Sequence, residues 1–552
     1  MNQQALPTFP RDVRSWLVIA VAALATTLAT TYPIWLAPAD LINDTGDVRL
    51  NTWTLSWVTH SLTQSPGEIW EANIYFPHSE TLALSENLIA LAPIAAPFVA
   101  AGEPVLGYNV ALFFSIAAFF ITTCLFVRHL AGSTILGVFA ATAATFAPSR
   151  LDHLPQLQLL ASYWIPLCLF LVAKYADTGR GRYAIAAAVA LAVQFWTGIQ
   201  ITIIFAPFIA VFGLALLLRG RGPSAGRVAM HTLVAGLLCV ALILPAVRPY
   251  LRASEAGMER TLEEARTFST QPVNFLSPSE HQRAPHMRAL RNYRGTEANH
   301  AAGFVVWTVV AFGVIARLRR RGFARRPSTG SALMLGALGL YVVSALSAML
   351  FGPNPVTGTL FHLQPASLLF VSFIAWCLLG ARRDNDDGMF RLCLALAGVA
   401  FLVSHGPDVR AWGSELGTGP FQYLFELKPF RSIRAVGRFG MVTSFFLACA
   451  AALAVASSAQ APSRRRLVGV TLALAVAGEL WVAPITAYDA YADDHPVYDE
   501  LALLPGTGPI AHVPIMAPPF PAASTQYLLG ATRHWRPMVN GYSGFIPPTY
   551  VT

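Results

Sequence analysis

Thirteen long apolar stretches constrain the fold of this chain more than any other feature of its sequence. Each holds 15 to 22 residues, close to the roughly 20 that an α-helix needs to cross the hydrocarbon core of a bilayer. Only 12% of the 552 residues are charged, about half the share of a typical soluble protein. We therefore predict an all-α polytopic membrane protein with about 13 transmembrane helices. The predicted spans are 15–36, 106–127, 133–147, 156–173, 183–197, 199–218, 228–247, 302–316, 331–351, 364–380, 389–404, 438–456 and 467–484.

The positions of the arginines predict how these helices are oriented. A further apolar stretch, 87–101, is short and contains two prolines, so it either crosses the membrane or lies at its surface. If it does not cross, the arginine clusters between the spans fall on the same side as the N-terminus, in agreement with the positive-inside rule. We therefore predict a cytoplasmic N-terminus. The net charge of +9 then reflects membrane topology, and no nucleic-acid partner is expected.

Four long segments are expected on the outer side, where any chemistry should take place. They are the loops 37–105, 248–301 and 405–437 and the tail 485–552. Residues 1–484 would form one transmembrane domain that carries the three loops. We expect the tail to be a small mixed α/β segment, incomplete as a domain, with a helix near 496–503 and a strand near 509–514.

The first outer loop begins with two aspartates that are candidates for catalysis. Asp44 and Asp47 follow the first span directly, and Asp47 stands at the start of a predicted helix that runs to residue 63. A carboxylate there could act as a general base or bind a metal. It could equally be a helix N-cap. His60, near the end of the same helix, is a further polar candidate for substrate binding.

The apolar face of this helix indicates where the helix lies. Leu50, Trp53 and Trp57 are spaced i, i+3 and i+7 and so share one face. Tryptophan is enriched at the headgroup region of bilayers. We therefore expect the helix to lie on the membrane surface with this face turned to the lipid.

Two polar clusters in other outer segments are candidates for substrate contacts. The first lies in a link between two spans that is short enough to hold it at the mouth of the helix bundle. A lone histidine there could bind a metal but more often has another role, and the second cluster is also typical of an exposed helix with ion pairs. The clusters are Arg150, Asp152 and His153, and Arg260, Glu263 and Glu264.

Three arginines before the span at 438–456 are the strongest anion-binding candidates. Arg431, Arg434 and Arg438 are spaced i, i+3 and i+7, which predicts one shared helical face. Their outer location opposes the positive-inside rule, and a helix N-terminus favours an anion. Guanidinium groups form paired hydrogen bonds with phosphate oxygens. Snorkelling to lipid headgroups is the alternative, and we favour phosphate binding.

Taken in order, these motifs resemble those of the GT-C superfamily of membrane glycosyltransferases, which use polyprenyl-phosphate sugars. The shared pattern is a first span, a long outer loop with an aspartate and an amphipathic helix, and many further spans. The strings at 73–78, 147–154 and 429–439 also look like those of bacterial membrane proteins placed in that superfamily. The resemblance covers nearly the whole chain, and its specificity comes from the order and common sidedness of the motifs.

The resemblance implies transfer of a sugar, with inversion, from a polyprenyl-phosphate donor to a hydroxyl of a glycan, lipid or protein acceptor at the outer face of a bacterial cytoplasmic membrane. Asp47 would be the catalytic base, with Asp44 as its companion. A divalent metal, Mg²⁺ or Mn²⁺, could be held by either aspartate or by His153. The donor phosphate would contact Arg431, Arg434, Arg438 and Arg150. Substrates would contact His60, His153, Asp152, Arg260, Glu263 and Glu264.

Two other functions are compatible with the same sequence. A flippase or transporter of lipid-linked glycans also needs many spans and anion-binding arginines. Its ionisable groups would normally lie near the bilayer midplane, whereas the predicted spans are almost free of charge, with Glu479 as the acidic residue inside one. A non-enzymatic envelope assembly factor would leave Asp47 as a helix cap. We predict the glycosyltransferase because the polar clusters lie in the outer loops.

Overall fold

A computed structural model describes residues 12–219, 223–290, 297–321, 329–351, 365–381, 386–411, 414–458, 461–492, 494–515, 524–547 and 550. The described residues are mostly helical, and each of the thirteen predicted spans contains a helix. Among these residues, six segments are long and apolar enough to cross a membrane, so the total of about 13 spans stays a prediction. The helices are α1 (Val13–Thr31), α2 (Asp47–Gln64), α3 (Ala92–Ala100), α4 (Pro104–Ala131), α5 (Thr134–Thr145), α6 (Trp164–Thr178), α7 (Gly181–Thr197), α8 (Ile199–Leu217), α9 (Ala225–Glu255), α10 (Phe304–Arg321), α11 (Thr329–Phe351), α12 (Pro365–Ala381), α13 (Asp386–Ser404), α14 (Phe439–Ser458), α15 (Pro462–Glu479), α16 (Val497–Leu503) and α17 (Thr525–His534).

Shorter elements connect these helices in the outer segments. Two small antiparallel sheets are present in the described residues: β1 (Leu41–Ile42) pairs with β4 (Tyr488–Asp489), and β2 (Asp408–Ala411) pairs with β3 (Ser414–Thr418). The first pairing ties the start of the first outer loop to the start of the tail. Short α-helical turns are Pro148–Leu151, Leu157–Leu160, Leu262–Thr267, Pro285–Ala289 and Phe421–Leu424.

The ambiguous stretch 87–101 forms a 3₁₀ turn, Ile89–Leu91, followed by the short helix α3. Its nine residues would rise about 14 Å, roughly half of the 30 Å hydrocarbon core. The helix packs between α2 and α4. A helix of this length agrees with the prediction that the segment does not cross the membrane.

Helix α14 lies at the centre of the helical bundle. Residues 439–455 are all buried, and the helix packs against α4, α5, α10 and α13. The run of small residues at 448–452 lets these neighbours approach closely. The N-terminal end of α14, and with it Arg438, is therefore held at a defined position at the mouth of the bundle.

The apolar face of α2 packs against protein, and the prediction that it faces the lipid was wrong. Leu50, Trp53 and Trp57 are buried in a cluster with Leu528 and Ala531 of the tail helix α17. The two indole N–H groups donate to protein oxygens of the same loop at 3.0 and 2.9 Å. Residues of the tail thus cover the apolar face of α2, which the helix pattern had predicted to contact lipid.

The tail has less strand than predicted. Its first helix, α16, lies where a helix was expected near 496–503. In the expected strand at 509–514, Ile510 makes only an isolated parallel bridge to Met538. That part of the chain packs with the first outer loop through main-chain hydrogen bonds, such as Phe76 N–H to the Met538 carbonyl at 2.8 Å.

Candidate active site at the mouth of the helix bundle

A polar cavity of about 570 Å³ opens where the first outer loop, the tail and the N-terminal ends of α8 and α14 meet. We call it the main cavity. Asp47 from α2 and Arg438 from the start of α14 line it together, and residues 542–546 of the tail form one wall. Other polar lining residues are Glu86, Gln156, Gln158, Gln200, Arg260, Ser432, Arg434, Tyr542 and Ser543.

Asp47 presents its carboxylate to the main cavity and does not cap its own helix. The N-cap position of α2 is occupied by Gly46, so the simpler interpretation of Asp47 as an N-cap was wrong. Its Oδ2 accepts a hydrogen bond from the Gln156 amide at 2.9 Å, and its Oδ1 accepts one from the Tyr542 hydroxyl at 3.4 Å. Burial, reinforced by the charge of Asp47, raises the pKa of Tyr542 to about 12, so this hydroxyl keeps the proton that it donates.

Three guanidinium groups line the same cavity. Burial lowers the pKa of Arg260, and the neighbouring positive charge of Arg434 lowers it further. Arg260 is paired with Glu264 at 3.2 Å and lies 3.8 Å from the ring centroid of Phe545. Because like charges repel, a group of arginines at close range is stabilised by an anion between them.

Arg434 and Arg438 differ in how they are held. Arg438 is largely buried, donates from Nε to Glu297 at 3.0 Å and from Nη2 to Gln156 at 3.3 Å, and also donates to Gln200. Arg434 is exposed to the cavity and, among the described residues, forms no ion pair; its guanidinium lies over the Phe268 ring at 4.7 Å. Arg434 therefore has hydrogen-bond donors available for a ligand.

Glu86 is a second carboxylate in the lining. It accepts hydrogen bonds from the backbone N–H groups of Ile199 and Gln200 at 2.5 and 3.0 Å, at the N-terminus of α8. Burial raises its pKa, although these two hydrogen bonds act in the opposite direction. Its main contribution is to hold the start of α8, and with it Gln200, against the cavity.

A smaller polar cavity of about 270 Å³ adjoins the main one and shares Gln156, Arg434 and Arg438 with it. The predicted residues Asp152 and His153 lie here. Each of the two neighbouring cavities thus contains some of the predicted site residues.

An apolar groove of about 690 Å³ adjoins the main cavity on another side. Helices α7, α8 and α9 supply most of its walls, and Phe545 and Ser432 line both spaces. Arg431 lies at this groove and 3.9 Å from Glu259. A molecule with an apolar chain and a polar head could occupy both spaces at once.

The predicted single face of three arginines does not form. Residues 428–432 and 436–438 are two separate 3₁₀ turns. Between them Ile433 and Ala435 have non-helical backbone conformations, so the i, i+3, i+7 rule does not apply. A hydrogen bond from Gly437 N–H to the Phe268 carbonyl at 2.8 Å holds the segment 428–438 in place. Arg434 and Arg438 consequently face the cavities, while Arg431 turns to the groove.

Two other predicted residues hold the backbone and do not line the main cavity. Asp44 accepts from Gly46 N–H at 2.8 Å and closes the turn that precedes α2. Arg150 is buried, donates to Ser162 at 2.6 Å and to the Leu160 carbonyl at 2.9 Å, and lies over the ring of Phe119. Both of its terminal nitrogens therefore donate to protein oxygens inside the bundle.

The remaining predicted residues also lie outside both cavities. His60 stacks on Trp535 of the tail at 4.0 Å between ring centroids. Glu263 forms an exposed ion pair with Arg266. Glu264 caps its own short helix and holds Arg260, so it acts on the cavity only through that arginine.

Sequence reasoning missed several lining residues because nothing in their local pattern marks them. Glu297 and His300 lie in the outer loop 248–301, and Tyr542 lies in a glycine-rich stretch of the tail. Their proximity to Asp47 or Arg438 depends on contacts between segments more than 100 residues apart. The nearest sequence signal is a polar residue in an outer segment, which many solvated positions share.

The donor set of the main cavity does not fit a metal. Among the described residues, no group of three or more His, Cys, Asp or Glu side chains is placed to hold an ion. Asp47 and Glu86 are the carboxylates of the lining, and Glu86 already accepts two backbone hydrogen bonds. Three arginines supply the positive charge that an anionic ligand needs, and we assign no step of the reaction to a metal.

Comparisons with known proteins find similarity among solved structures. No family model matches this sequence, and no curated protein matches it. The chain is similar to the solved structure of the archaeal oligosaccharyltransferase AglB from Archaeoglobus fulgidus in complex with an inhibitory peptide and a dolichol-phosphate, with a TM-score of 0.45 and 13% sequence identity. The match covers 98% of this chain and 65% of that one, so this chain spans somewhat less than two thirds of the length of its structural neighbour.

Proposed function

We propose that this protein is a GT-C-type membrane glycosyltransferase that moves a sugar from a polyprenyl-phosphate donor to an acceptor hydroxyl. The observation that carries the proposal is the joining of a carboxylate and three arginines in one polar cavity that opens directly into a long apolar groove. The polyprenyl chain would lie in the groove and the phosphate would contact Arg434. The resemblance of the sequence motifs to the GT-C superfamily points to the same chemistry.

Each lining group has a defined part in this reaction. The Asp47 carboxylate takes the proton of the acceptor hydroxyl, whose oxygen then attacks the anomeric carbon of the donor sugar. The bond from that carbon to the phosphate oxygen breaks, and the electron pair leaves with the phosphate. Donors aimed at a developing negative charge lower the barrier most when they are already in place. Arg434 and Arg438 would supply them, and Tyr542 and Gln156 orient the base.

Replacing Arg434 by alanine tests the phosphate position. We expect the Arg434→Ala variant to bind a long-chain polyprenyl phosphate at least 10-fold more weakly than the unmodified protein, because a charge-assisted hydrogen bond contributes about 1.5–3 kcal/mol. Affinity can be measured in nanodiscs by competition with a labelled lipid phosphate. Arg410→Ala, which removes an exposed arginine of β2, is the matched control and should bind normally.

Two results would contradict this assignment in different ways. Unchanged affinity of Arg434→Ala would place the phosphate elsewhere. Movement of an intact glycolipid across a sealed vesicle, without cleavage of the sugar–phosphate bond, would instead identify the protein as a flippase. A labelled donor supplied in reconstituted vesicles distinguishes the two activities.

Filling the apolar groove tests where the lipid chain lies. Ala206 of α8 lines the groove, and Ala206→Trp would occupy part of its volume. We expect this variant to lose most of its affinity for a long-chain polyprenyl phosphate while it binds a short prenyl phosphate normally, because about 0.8 kcal/mol is lost for each CH₂ that is no longer buried.

A tryptophan elsewhere on the apolar surface provides the control. Leu237→Trp adds the same side chain at an exposed position of α9, outside the groove lining, and should leave both affinities unchanged. If Ala206→Trp lost affinity equally for long and short prenyl phosphates, the substitution would be disturbing the main cavity. That result would refute the placement of the lipid chain in the groove.

A further inference from the structure

The small cavity contains more polar groups than its contacts with protein satisfy. Arg434 and Arg438 line both this cavity and the main cavity and so form part of the wall between them. One wall comes from the link after α5 and another from the loop before α10. Its polar lining residues are Asp152, His153, Gln156, Glu297, Asn299 and His300.

Four buried atoms in this lining make no regular hydrogen bond with the described residues, and two of them, His153 Nε2 and Glu297 Oε2, contact each other at 2.9 Å. The other two belong to Asp152 and His300. The Asp152 Oδ2 accepts from the Asn299 amide at 2.5 Å and the Ser279 side chain lies near the carboxylate, but Oδ1 has no hydrogen bond of regular geometry. The His300 Nε2 contacts the Glu297 carbonyl at 2.7 Å, whereas its Nδ1 has none, although the residue is 1% exposed. Burial lowers the pKa of His300 to about 4, so the ring is neutral at neutral pH. Buried polar atoms without partners are rare in native proteins and indicate water or a ligand.

Glu297 is already compensated by protein partners in the small cavity. His153 lies 2.9 Å from Glu297, and Glu297 also pairs with Arg438 at 3.0 Å. Although burial acts against it, the charges of His153 and Arg438 lower the pKa of Glu297. The carboxylate therefore stays ionised in its pair and needs no cation from a ligand.

We propose that the small cavity binds a single sugar ring. This inference rests on the proposed function and specifies where one of its sugars lies. Ring hydroxyls both donate and accept, which matches a lining of carboxylates, imidazoles and an amide. A volume of about 270 Å³ has room for one ring but not for a lipid chain.

The shared wall explains how a ring bound here could take part in transfer. Gln156 lines both cavities, donates to Asp47 on one side and accepts from Arg438 on the other. A hydroxyl or anomeric carbon at this wall would lie next to both the base and the phosphate site. The ring could belong to the donor or to the acceptor, and the experiment separates these sources.

Asp152→Asn tests the site directly, because it keeps the hydrogen bond from Asn299 and removes the acceptor at Oδ1. The asparagine oxygen can still accept from Asn299, while its NH₂ replaces the unpaired Oδ1. Methyl hexopyranosides and methyl pentofuranosides serve as probes, and saturation-transfer NMR on the full-length protein in nanodiscs measures their binding. We expect at least one glycoside to bind, and Asp152→Asn to reduce its affinity about 10-fold. The matched control is Glu415→Gln, at an exposed position of β3, which should bind it normally.

Donor binding then identifies the source of the ring. If the donor sugar lies here, Asp152→Asn will weaken binding of the glycosylated lipid phosphate but not of the bare lipid phosphate. If the acceptor lies here, both affinities will stay unchanged and the KM for the acceptor will rise. Either result supports the proposal. Binding of the bare lipid phosphate is a separate measurement, and it tests the proposed function.

The proposal is overturned if no glycoside binds the unmodified protein while bare polyprenyl phosphate does. It is also overturned if Asp152→Asn, with unchanged thermal stability, binds glycosides and both lipids like the unmodified protein. His300→Gln is the second variant: it should weaken glycoside binding as well, and full retention of binding in it would likewise refute the site.

Discussion

Asp47→Asn is expected to reduce sugar transfer by about 10²–10⁴-fold, the range that a positioned general base contributes. The asparagine keeps the size of the side chain; its oxygen can still accept from Gln156 and its NH₂ can donate to the Tyr542 hydroxyl oxygen, but it cannot take a proton from the acceptor hydroxyl. Folding and donor binding should therefore be unchanged. The measurement is transfer of a labelled sugar from a polyprenyl-phosphate donor by purified protein in nanodiscs.

A second aspartate of the same loop provides the control. Asp40 is exposed and lies outside the lining of both cavities, so Asp40→Asn should transfer at the normal rate. Undiminished transfer by Asp47→Asn would remove Asp47 from the reaction. A loss of transfer accompanied by a lower unfolding temperature would show that the carboxylate acts on the structure of the loop and not as the base.

Arg438→Ala is expected to have the largest effect on stability. The guanidinium joins Glu297, Gln156 and Gln200, and only 11% of the Arg438 side chain is exposed. Removing one member of a buried ion pair leaves the other charge uncompensated and costs about 3–5 kcal/mol. Thermal unfolding in detergent should show a clear loss of stability. Donor binding should fall as well, because the wall between the two cavities is lost.

A double variant separates the charge effect from the loss of packing. Neutralising the partner in Arg438→Ala/Glu297→Gln removes the uncompensated carboxylate and should recover part of the stability. Since residues in one network are coupled, the two changes should not be additive. An Arg438→Ala variant as stable as the unmodified protein would contradict the role of this arginine as the link between the outer loop 248–301 and the start of α14.

Most of the helical architecture could be predicted because it depends on local properties. An apolar stretch about as long as the bilayer is thick forms a helix whatever its neighbours, since the backbone must satisfy its own hydrogen bonds in lipid. Each of the thirteen stretches accordingly contains a helix. Length and proline content left the role of 87–101 open, the arginine distribution predicted that it does not cross the membrane, and α3 has only nine residues.

The candidate site could be predicted only in part. Asp47, Arg434 and Arg438 were identified because their residue types and outer location are unusual. Their geometry was not predictable, because the helical spacing rule fails where Ile433 and Ala435 leave the helix. Arg150 looked like a phosphate ligand, yet its donors are used by Ser162 and the Leu160 carbonyl.

The amino-acid sequence by itself determined the membrane-protein class, the positions of the helices and the residue types available for chemistry, because these follow from hydropathy, length and charge along the chain. Only the tertiary structure decided which polar groups meet. Tyr542 reaches Asp47 across 495 positions of sequence, and Glu297 reaches Arg438 across 141. The tail also covers the tryptophan face of α2 that a local pattern assigns to lipid. An apolar face needs a partner but does not specify which one, so packing between distant segments had to make that choice.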